Sequence, residues 1–336
     1  MRGSLSRQGI MAMVDKNLAL EFVRATEQAA IASARWMGRG NKHAADQAAV
    51  EAMRKHFSDV MISGKIVIGE GEMDEAPMLY IGELVGTGTG PDIDIAVDPL
   101  EGTDITARGD ANALSVIAAA PRGDLLHAPD IYMDKIAVGN ECKGVIDLDA
   151  SARDNVHAVA DALDKKVDDV TVVILDRERH KRLVEEVRAT GARIRLIRDG
   201  DVAGALAPGI QGSGIDMLMG IGGAPEGVIA ASALKAMGGE LQGRLKPSNE
   251  EETKRAKKMG IKDINSKLTT DDLVKSDNAM FAATGVTDGT ILKGVRFVPH
   301  GAVTHSLVMR CKSKTIRFIE AHHHFEHQQT NAAHPL

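Results

Sequence analysis

The spacing of apolar residues changes along the chain from a helical period to a strand-like one. After Asp15, the segment LALEFVRATEQAAIASARWMG repeats apolar residues three and four positions apart, which predicts a helix that Gly38 is placed to end. The segment AADQAAVEAMRKHF predicts a second helix. Short apolar runs then follow, separated by Gly, Pro and Asp, and they predict strands: KIVIG, LYIGELVG, IDIAV, ALSVIAAA and IYMDKIAV.

Two helices followed by consecutive strands predict that residues 14–150 form an α+β half with a largely antiparallel sheet. From about residue 150 the helical and strand patterns alternate, in the order SARDNVHAVADAL, TVVIL, ERHKRLVEEVRATG, RIRLI, DVAGAL, IDMLMGI and PEGVIAASALKAMG. This alternation is typical of βαβ units around a parallel sheet. Residues 151–325 are therefore predicted to form an α/β half.

The last part of the chain predicts an exposed helix or insertion at NEEETKRAKKMG and closing strands at GVRFV, THSLVMR and TIRFIEAH. No low-complexity linker separates the two halves, so they are expected to pack as one body. The polar N-terminal segment and the His-rich C-terminal segment carry no strand or helix pattern. We predict flexible tails at residues 1–13 and 326–336.

The composition limits the partners that the chain is expected to have. The formal net charge is −6 and no Lys/Arg block interleaved with aromatic residues occurs, so no nucleic-acid partner is expected. The longest apolar run, ALSVIAAAP, is far shorter than the roughly 20 residues of a membrane helix, so no membrane partner is expected. The only cysteines, Cys142 and Cys311, are far apart in sequence, which favours a reduced cytoplasmic protein without a disulfide framework.

Four segments place carboxylates at the ends of apolar runs, three of them beside Gly or Pro: NKHAADQ, VIGEGEMDEAP, AVDPLEGTD and GIGGAPEG. Taken singly, each is most simply a solvated surface turn. If the segments converge, two carboxylates about 4 Å apart repel by about 4 kcal/mol at an effective dielectric near 20. A divalent cation relieves that repulsion, and a site of oxygens without His or Cys favours Mg²⁺ or Mn²⁺ over zinc.

These segments carry a resemblance to a known family. The stretch DPLEGT after a buried strand, with GEGE upstream and a late acid at a helix start, resembles the signature of the lithium-sensitive, metal-dependent sugar phosphatase superfamily. More narrowly, GRGNKHAADQAAVEAMR, IVIGEGEMDEAPMLYIGE, ILDRERHKRLV, RLIRDGDVAGA and GIGGAPEGVIAA are similar to the class II (bacterial) fructose-1,6-bisphosphatases, in the same order, from about Asp15 to about His323. The resemblance implies a layered αβαβα fold like that of inositol monophosphatase.

The resemblance also implies the reaction and its metal ligands. Class II enzymes remove the 1-phosphate of fructose 1,6-bisphosphate in gluconeogenesis with Mn²⁺ or Mg²⁺. By their motifs, one metal site matches Asp46 and Glu70, and the other matches Asp98, Glu101 and Glu226. The water-activating hydroxyl matches Thr103, and its acidic partner is left open between three residues: Asp46, Glu72 and Asp74.

The substrate contacts are implied in the same way. Positions that match family contacts to the sugar bisphosphate are Lys42, Glu101, Gly102, Thr103, Tyr132, Arg177, Arg179, Asp199, Gly200, Asp201 and Gly223. Without the resemblance, Tyr132 would be assigned to strand packing, Arg177 and Arg179 to a solvated helix start, and Asp201 to a helix cap. Asn41 and Arg177 depart from the residues that the family often has, Asp and Lys, and Asp104 is a variable position. A homodimer or homotetramer is expected.

Several other functions compete with this interpretation. A dinucleotide-binding or P-loop protein is excluded because Pro225 stands where the last Gly of G-x-G-x-x-G is required and G-x-x-x-x-G-K-[ST] is absent. A bifunctional fructose-1,6-/sedoheptulose-1,7-bisphosphatase is the main alternative. An inositol phosphatase is disfavoured because the two arginines and the RDGDV segment exceed the core metal motifs. A catalytically silent phosphate-binding regulator would have no need of Thr103.

Overall fold

The computed structural model describes residues 7–71 and 78–325, without the side chains of residues 7–17. The helices within this part are α1 (Arg7–Ala34), α2 (Lys42–Phe57), α3 (Thr103–Arg108), α4 (Ala152–Ala162), α5 (Lys181–Arg188), α6 (Asp201–Leu206), α7 (Ala224–Met237), α8 (Glu250–Lys258) and α9 (Thr270–Leu273). None of these helices has both the length and the apolar content needed to cross a bilayer.

The strands form two sheets. In chain order they are β1 (Ser63–Ile68), β2 (Leu84–Val85), β3 (Asp92–Glu101), β4 (Leu114–Pro121), β5 (Tyr132–Val138), β6 (Thr171–Leu175), β7 (Arg193–Ile197), β8 (Met217–Gly223), β9 (Glu240–Lys246), β10 (Leu268–Thr269), β11 (Met280–Gly285), β12 (Arg296–Val298), β13 (Gly301–Arg310) and β14 (Thr315–His324). The chain is thus a mixed α+β protein.

The larger sheet has eight strands in the order β12-β13-β11-β4-β3-β1-β2, with β14 paired to β13. Every pairing in it is antiparallel except that of β1 with β3. The antiparallel character matches the prediction. Four of the strands, β11 to β14, come from the C-terminal part of the chain, so the sheet extends beyond residues 14–150.

The smaller sheet has six strands in the order β10-β9-β5-β8-β6-β7. Only β6 with β7 and β6 with β8 are parallel. The pairs β5–β8, β5–β9 and β9–β10 are antiparallel, so the parallel sheet predicted for residues 151–325 is realised only in part. Since β5 precedes residue 150, each of the two predicted halves contributes strands to both sheets.

Three apolar cores hold the helices on these sheets. The first joins α1 and α2 to one face of the larger sheet through residues such as Phe22, Phe57 and Ile95. The second surrounds α7, which is buried on nearly all sides because its residues are mostly Ala, Val, Ile and Leu. The third joins α4 and α5 to the smaller sheet through Val156, Val187 and their neighbours.

Some element boundaries differ from the sequence prediction. The first helix begins at Arg7 and ends at Ala34, short of Gly38, so residues 7–13 continue α1 instead of forming a tail. The remaining residues of the predicted tails lie outside the described part of the chain. The run LYIGELVG contributes only the two residues of β2. Strands β9 and β11 were not predicted, because ELQGRLK and MFAATG lack a clear alternation of apolar and polar residues.

His180 ties the segment between β6 and α5 to the end of β8. Its imidazole is 2% exposed. Nδ1–H donates to the Leu175 carbonyl at 2.7 Å, and Nε2 accepts the Ile221 N–H at 2.7 Å. The second bond requires the neutral ring, because a protonated Nε2 cannot accept a hydrogen bond. Burial lowers the pKa of His180, and the neighbouring Arg179 lowers it further. The segment that carries Arg177 and Arg179 is therefore fixed by a neutral histidine.

We expect this histidine to make stability depend on pH. Because the folded state binds the His180 proton less readily than the unfolded state does, the free energy of unfolding should fall as the pH decreases below about 6.5. A His180→Gln variant should lose about 1 to 3 kcal/mol near neutral pH and show a smaller pH dependence. Urea unfolding of both proteins in EDTA at several pH values between about 5.5 and 7.5 measures the difference. Parallel pH profiles would contradict the assignment.

Candidate active site

A cavity of about 460 Å³ is lined by carboxylates from distant parts of the chain. They come from α2, the segment after β1, the end of β3, the segment before β5, the segment between β7 and α6, and the beginnings of α6 and α7. The eight acidic residues in its lining are Asp46, Glu70, Asp98, Glu101, Asp130, Asp199, Asp201 and Glu226. Among the described residues, no Lys, Arg or His lines this cavity. The acidic segments thus converge in the structure, as the sequence predicted.

Asp98 and Glu101 are placed by an irregular end of β3. The pairing of β3 with β4 shifts register between these two residues, which turns both carboxylates toward the cavity. Asp98 Oδ1 accepts the Leu100 N–H at 3.2 Å. The Glu101 carboxylate accepts the backbone N–H groups of Val202 and Ala203, the latter at 3.4 Å, and so joins β3 to α6.

Burial raises the pKa values of these acids. The pKa of Glu70 rises to about 8, first because of burial and then because of the Asp46 charge. The pKa of Asp98 is raised well above its usual value by burial, with further contributions from Glu70, Glu101 and Glu226. Burial also raises the pKa values of Asp46, Glu101 and Glu226. Ionising the whole set without a counter-charge is therefore unfavourable.

This set of donors fits hard divalent cations. Glu226 Oε2 is buried without a hydrogen-bond partner, so one carboxylate oxygen is left free for an ion. All side-chain donors are oxygens, which suits Mg²⁺ or Mn²⁺. In their present positions, no three acidic, His or Cys side chains within the described ranges form a ready-made metal site, so an ion would draw them closer together.

Thr103 begins α3 directly after Gly102 and lines the same cavity. Gly102 has φ 93°, a left-handed conformation that favours glycine, and it turns the chain from the strand into the helix. Asp46, one of the three acids considered as partner of Thr103, lines the cavity as well. The other two, Glu72 and Asp74, lie outside the described residues.

Not every predicted substrate contact lines the cavity. Those that do are Glu101, Gly102, Thr103, Asp199 and Asp201, and those that do not are Lys42, Tyr132, Arg177, Arg179, Gly200 and Gly223. Lys42 instead pairs with Asp104 at 3.2 Å, and both side chains are exposed. Gly223 closes β8 immediately before α7, the helix that carries Glu226.

Tyr132 and Arg179 form a stacked pair on the smaller sheet. The Arg179 guanidinium carbon lies 4.6 Å from the centre of the Tyr132 ring, and its nitrogens donate to the Ile221 carbonyl at 2.7 and 3.1 Å. Tyr132 is 46% exposed and pairs in register with Gly223, so packing in the strand core is not its role. The stack fixes one guanidinium close to the β8–α7 turn.

Asp199 and Asp201 flank the left-handed Gly200. Burial raises the pKa of Asp199, while the hydrogen bond from the Gly200 N–H and the charge of Arg177 oppose the shift. The cap of α6 is Gly200 without a side-chain bond, so the capping role considered for Asp201 is wrong. The Asp201 carboxylate instead accepts a hydrogen bond from the ammonium group of Lys135.

Two residues of the site carried no prediction. Asp130 lies just before β5 and lines the cavity. Lys135 lies within β5 beneath Asp201. A lysine inside the predicted strand IYMDKIAV was the available signal, because lysine is almost never fully buried without a partner.

Comparison with known proteins places the chain in a family. Residues 16–323 match the family described as bacterial fructose-1,6-bisphosphatase, glpX-encoded. A "D-fructose 1,6-bisphosphatase class 2/sedoheptulose 1,7-bisphosphatase" of Trichodesmium erythraeum (strain IMS101) is 46% identical over 94% of this chain and 99% of that protein. A protein of the same name from Synechococcus sp. (strain JA-3-3Ab) is 46% identical over 94% of this chain and 98% of its own length. The chain therefore belongs to the bacterial, glpX-encoded fructose-1,6-bisphosphatase family.

Proposed function

We propose that this chain hydrolyses the 1-phosphate of fructose 1,6-bisphosphate, giving fructose 6-phosphate and phosphate. The observation that carries the proposal is the convergence of seven buried or half-buried carboxylates, together with the exposed Asp130, around Thr103 in one cavity. Such a cavity repels a phosphate unless cations are present, so a metal-dependent phosphoric monoester hydrolase accounts for it best. Membership of the family and the names of the relatives support the same reaction.

Asp46 and Glu70 would hold one divalent ion, and Asp98, Glu101 and Glu226 would hold a second. Mn²⁺ and Mg²⁺ are the ions that we propose, because every side-chain donor is an oxygen. When bound, such a pair of ions supplies an activated water, orients the phosphoryl group and neutralises charge on the leaving oxygen.

Thr103 is the hydroxyl that we place beside the attacking water. The water passes a proton to the Thr103 oxygen, and the Thr103 hydroxyl passes its own proton to a neighbouring carboxylate. The water oxygen then bonds to phosphorus, the bond between phosphorus and the C1 oxygen breaks, and the sugar oxygen takes up a proton from solvent water. Asp46 shares the cavity with Thr103, while Glu72 and Asp74 remain alternatives for the accepting carboxylate.

The second phosphate would bind the two arginines after β6. Arg179 is held by its Tyr132 stack and by Ile221, and its guanidinium suits bidentate contact with a phosphate. Arg177 Nη1 donates to the Asp176 carbonyl at 3.1 Å, and the charge of Arg177 lowers the pKa of Asp199. Asp199 and Asp201 would accept hydrogen bonds from sugar hydroxyls. The further substrate contacts that we propose are Lys42, Glu101, Gly102, Tyr132, Gly200 and Gly223.

A bifunctional fructose-1,6-/sedoheptulose-1,7-bisphosphatase is the second candidate. The relatives named above carry both activities in their printed names, and each spans nearly the whole chain. An inositol phosphatase is disfavoured because it would leave Arg177 and Arg179 without a phosphate to bind. A catalytically silent regulator is disfavoured because Thr103 stands in the acidic cavity.

We also propose the architecture and assembly that the family resemblance implies. Three apolar cores, with α7 in contact with strands of both sheets, support a layered αβαβα arrangement.

The long edge strand β14, on which Ile316 and Phe318 are exposed, supports a homodimer or homotetramer. Cys142 and Cys311 are buried, free thiols, which supports a reduced cytoplasmic setting.

We expect phosphate release from fructose 1,6-bisphosphate only with Mn²⁺ or Mg²⁺, and inhibition by Li⁺. Thr103→Ala and Glu226→Gln should each lower turnover about 100-fold or more, because one removes the hydroxyl beside the water and the other removes an ion ligand. Asp92→Asn is the matched control, since Asp92 is exposed at the opposite end of the strand that carries Asp98. Full activity in excess EDTA would exclude the mechanism.

The ions should also stabilise the folded chain. At about 100 times its dissociation constant, Mn²⁺ should raise the melting temperature of the wild type by about 5 °C or more. Without metal, Glu226→Gln should melt higher than the wild type because one source of carboxylate repulsion is gone, and Mn²⁺ should raise its melting temperature less. Thermal unfolding followed by circular dichroism measures both shifts. If Mn²⁺ raised the melting temperature of the variant as much as that of the wild type, Glu226 would not be a ligand of the ion.

Substrate preference can be measured by comparing kcat/KM for fructose 1,6-bisphosphate, sedoheptulose 1,7-bisphosphate and an inositol monophosphate. The inositol phosphate should be at least about 100-fold poorer, because it has no second phosphate for Arg177 and Arg179. Arg179→Ala should raise KM for the bisphosphates and leave KM for the inositol phosphate unchanged. Sedoheptulose turnover within about tenfold of the fructose value would favour the bifunctional enzyme.

A further inference from the structure

Lys135 is a fully buried cation directly beneath the acidic cavity. Lys135 is 2% exposed and lies in the middle of β5, the strand between β8 and β9. The ammonium group donates to Asp201 Oδ2 and, at 2.7 Å, to the Gly223 carbonyl. A charge in this position is costly unless it is paired, so its two partners determine its role.

The surrounding chain leaves room for this lysine. A methyl group added at Gly227 of α7 would lie 2.9 Å from Met133 Sδ and 3.2 Å from Lys135 Cδ, so a side chain there would press on the lysine stem as well as on Met133. A methyl group at Gly222 of β8 would lie 2.0 Å from Asp201 Oδ2. Both glycines therefore make space for the pair, one for its cation and the other for its anion.

The two partners of Lys135 belong to different parts of the site. Asp201 lines the cavity and begins α6, but it makes no capping bond, so Lys135 is its identified side-chain partner among the described residues. Gly223 ends β8 and precedes by three residues Glu226, whose carboxylate also lines the cavity. One ammonium group thus joins the beginning of α6 to the beginning of α7.

We infer that Lys135 is a positioning residue for the substrate: anchored on the Gly223 carbonyl, it holds the Asp201 carboxylate in the orientation that receives a sugar hydroxyl. This inference rests on the proposed function. If Lys135 served stability alone, its replacement would lower the melting temperature but would leave the affinity for the sugar bisphosphate unchanged.

The test is a double-mutant cycle on the full chain. Lys135→Met keeps the unbranched stem and removes the charge, and Asp201→Ala removes its partner. Each change should raise KM for fructose 1,6-bisphosphate about 10-fold or more, as expected for a lost hydrogen bond between charged groups, and lower kcat less. The double variant should have a KM within about twofold of the worse single variant, because both changes remove the same contact.

A second readout separates positioning from a general loss of structure. The rise in melting temperature on adding Mn²⁺ should remain in Lys135→Met, because none of the proposed ion ligands has been removed. Lys135→Gln, whose amide can still donate to Asp201, should recover part of the affinity and provides the measurement if the methionine variant does not fold.

Lys235→Met is the matched control. Lys235 is largely buried at the other end of α7, where it pairs with Asp271 at 2.7 Å and donates to the Val274 carbonyl at 2.9 Å. Its replacement should lower the melting temperature and leave KM unchanged. An unchanged KM in both Lys135 variants, or KM effects that multiply in the double variant, would overturn the inference while leaving the proposed function intact. A wild-type chain that releases no phosphate would overturn both.

Discussion

Mutual repulsion among buried carboxylates is the constraint on which the rest of this structure depends. Asp98 and Glu226 lie in one cavity with raised pKa values, and Glu226 keeps an oxygen without a partner. Such a cluster cannot hold itself together. Its members are kept in place by the rigid elements on which they stand, namely the end of β3 and the beginnings of α6 and α7. The fold holds the acids close enough for cations to complete the site.

Much of the candidate site was predictable from the sequence, because local signals marked it. Each acid follows or precedes an apolar run, and Gly or Pro beside most of them marks a turn. The physical argument that converging acids need a divalent ion required no coordinates. Antiparallel pairing in the larger sheet also followed from consecutive strand patterns. Local patterns specify the period of an element and the position of turns, and these were predicted correctly for most elements.

The remainder depends on contacts between residues far apart in the chain. A period of two identifies a strand but not its partners, so the placement of β5 in the smaller sheet and of β11 to β14 in the larger one had no local signal. The bond from Lys135 to Asp201 spans 66 positions. That bond, rather than helix capping, decides what the Asp201 carboxylate does, and no local rule contains it.

The larger sheet combines strands from both parts of the chain, and this has a consequence for how the protein folds during synthesis. Strand β13 lies between β11 and β12 on one side and β14 on the other, and all four are made well after β3, the strand that carries Asp98. The larger sheet therefore cannot close until these four strands have left the ribosome. Until then, a nascent chain carries its acidic strand end in an unfinished sheet.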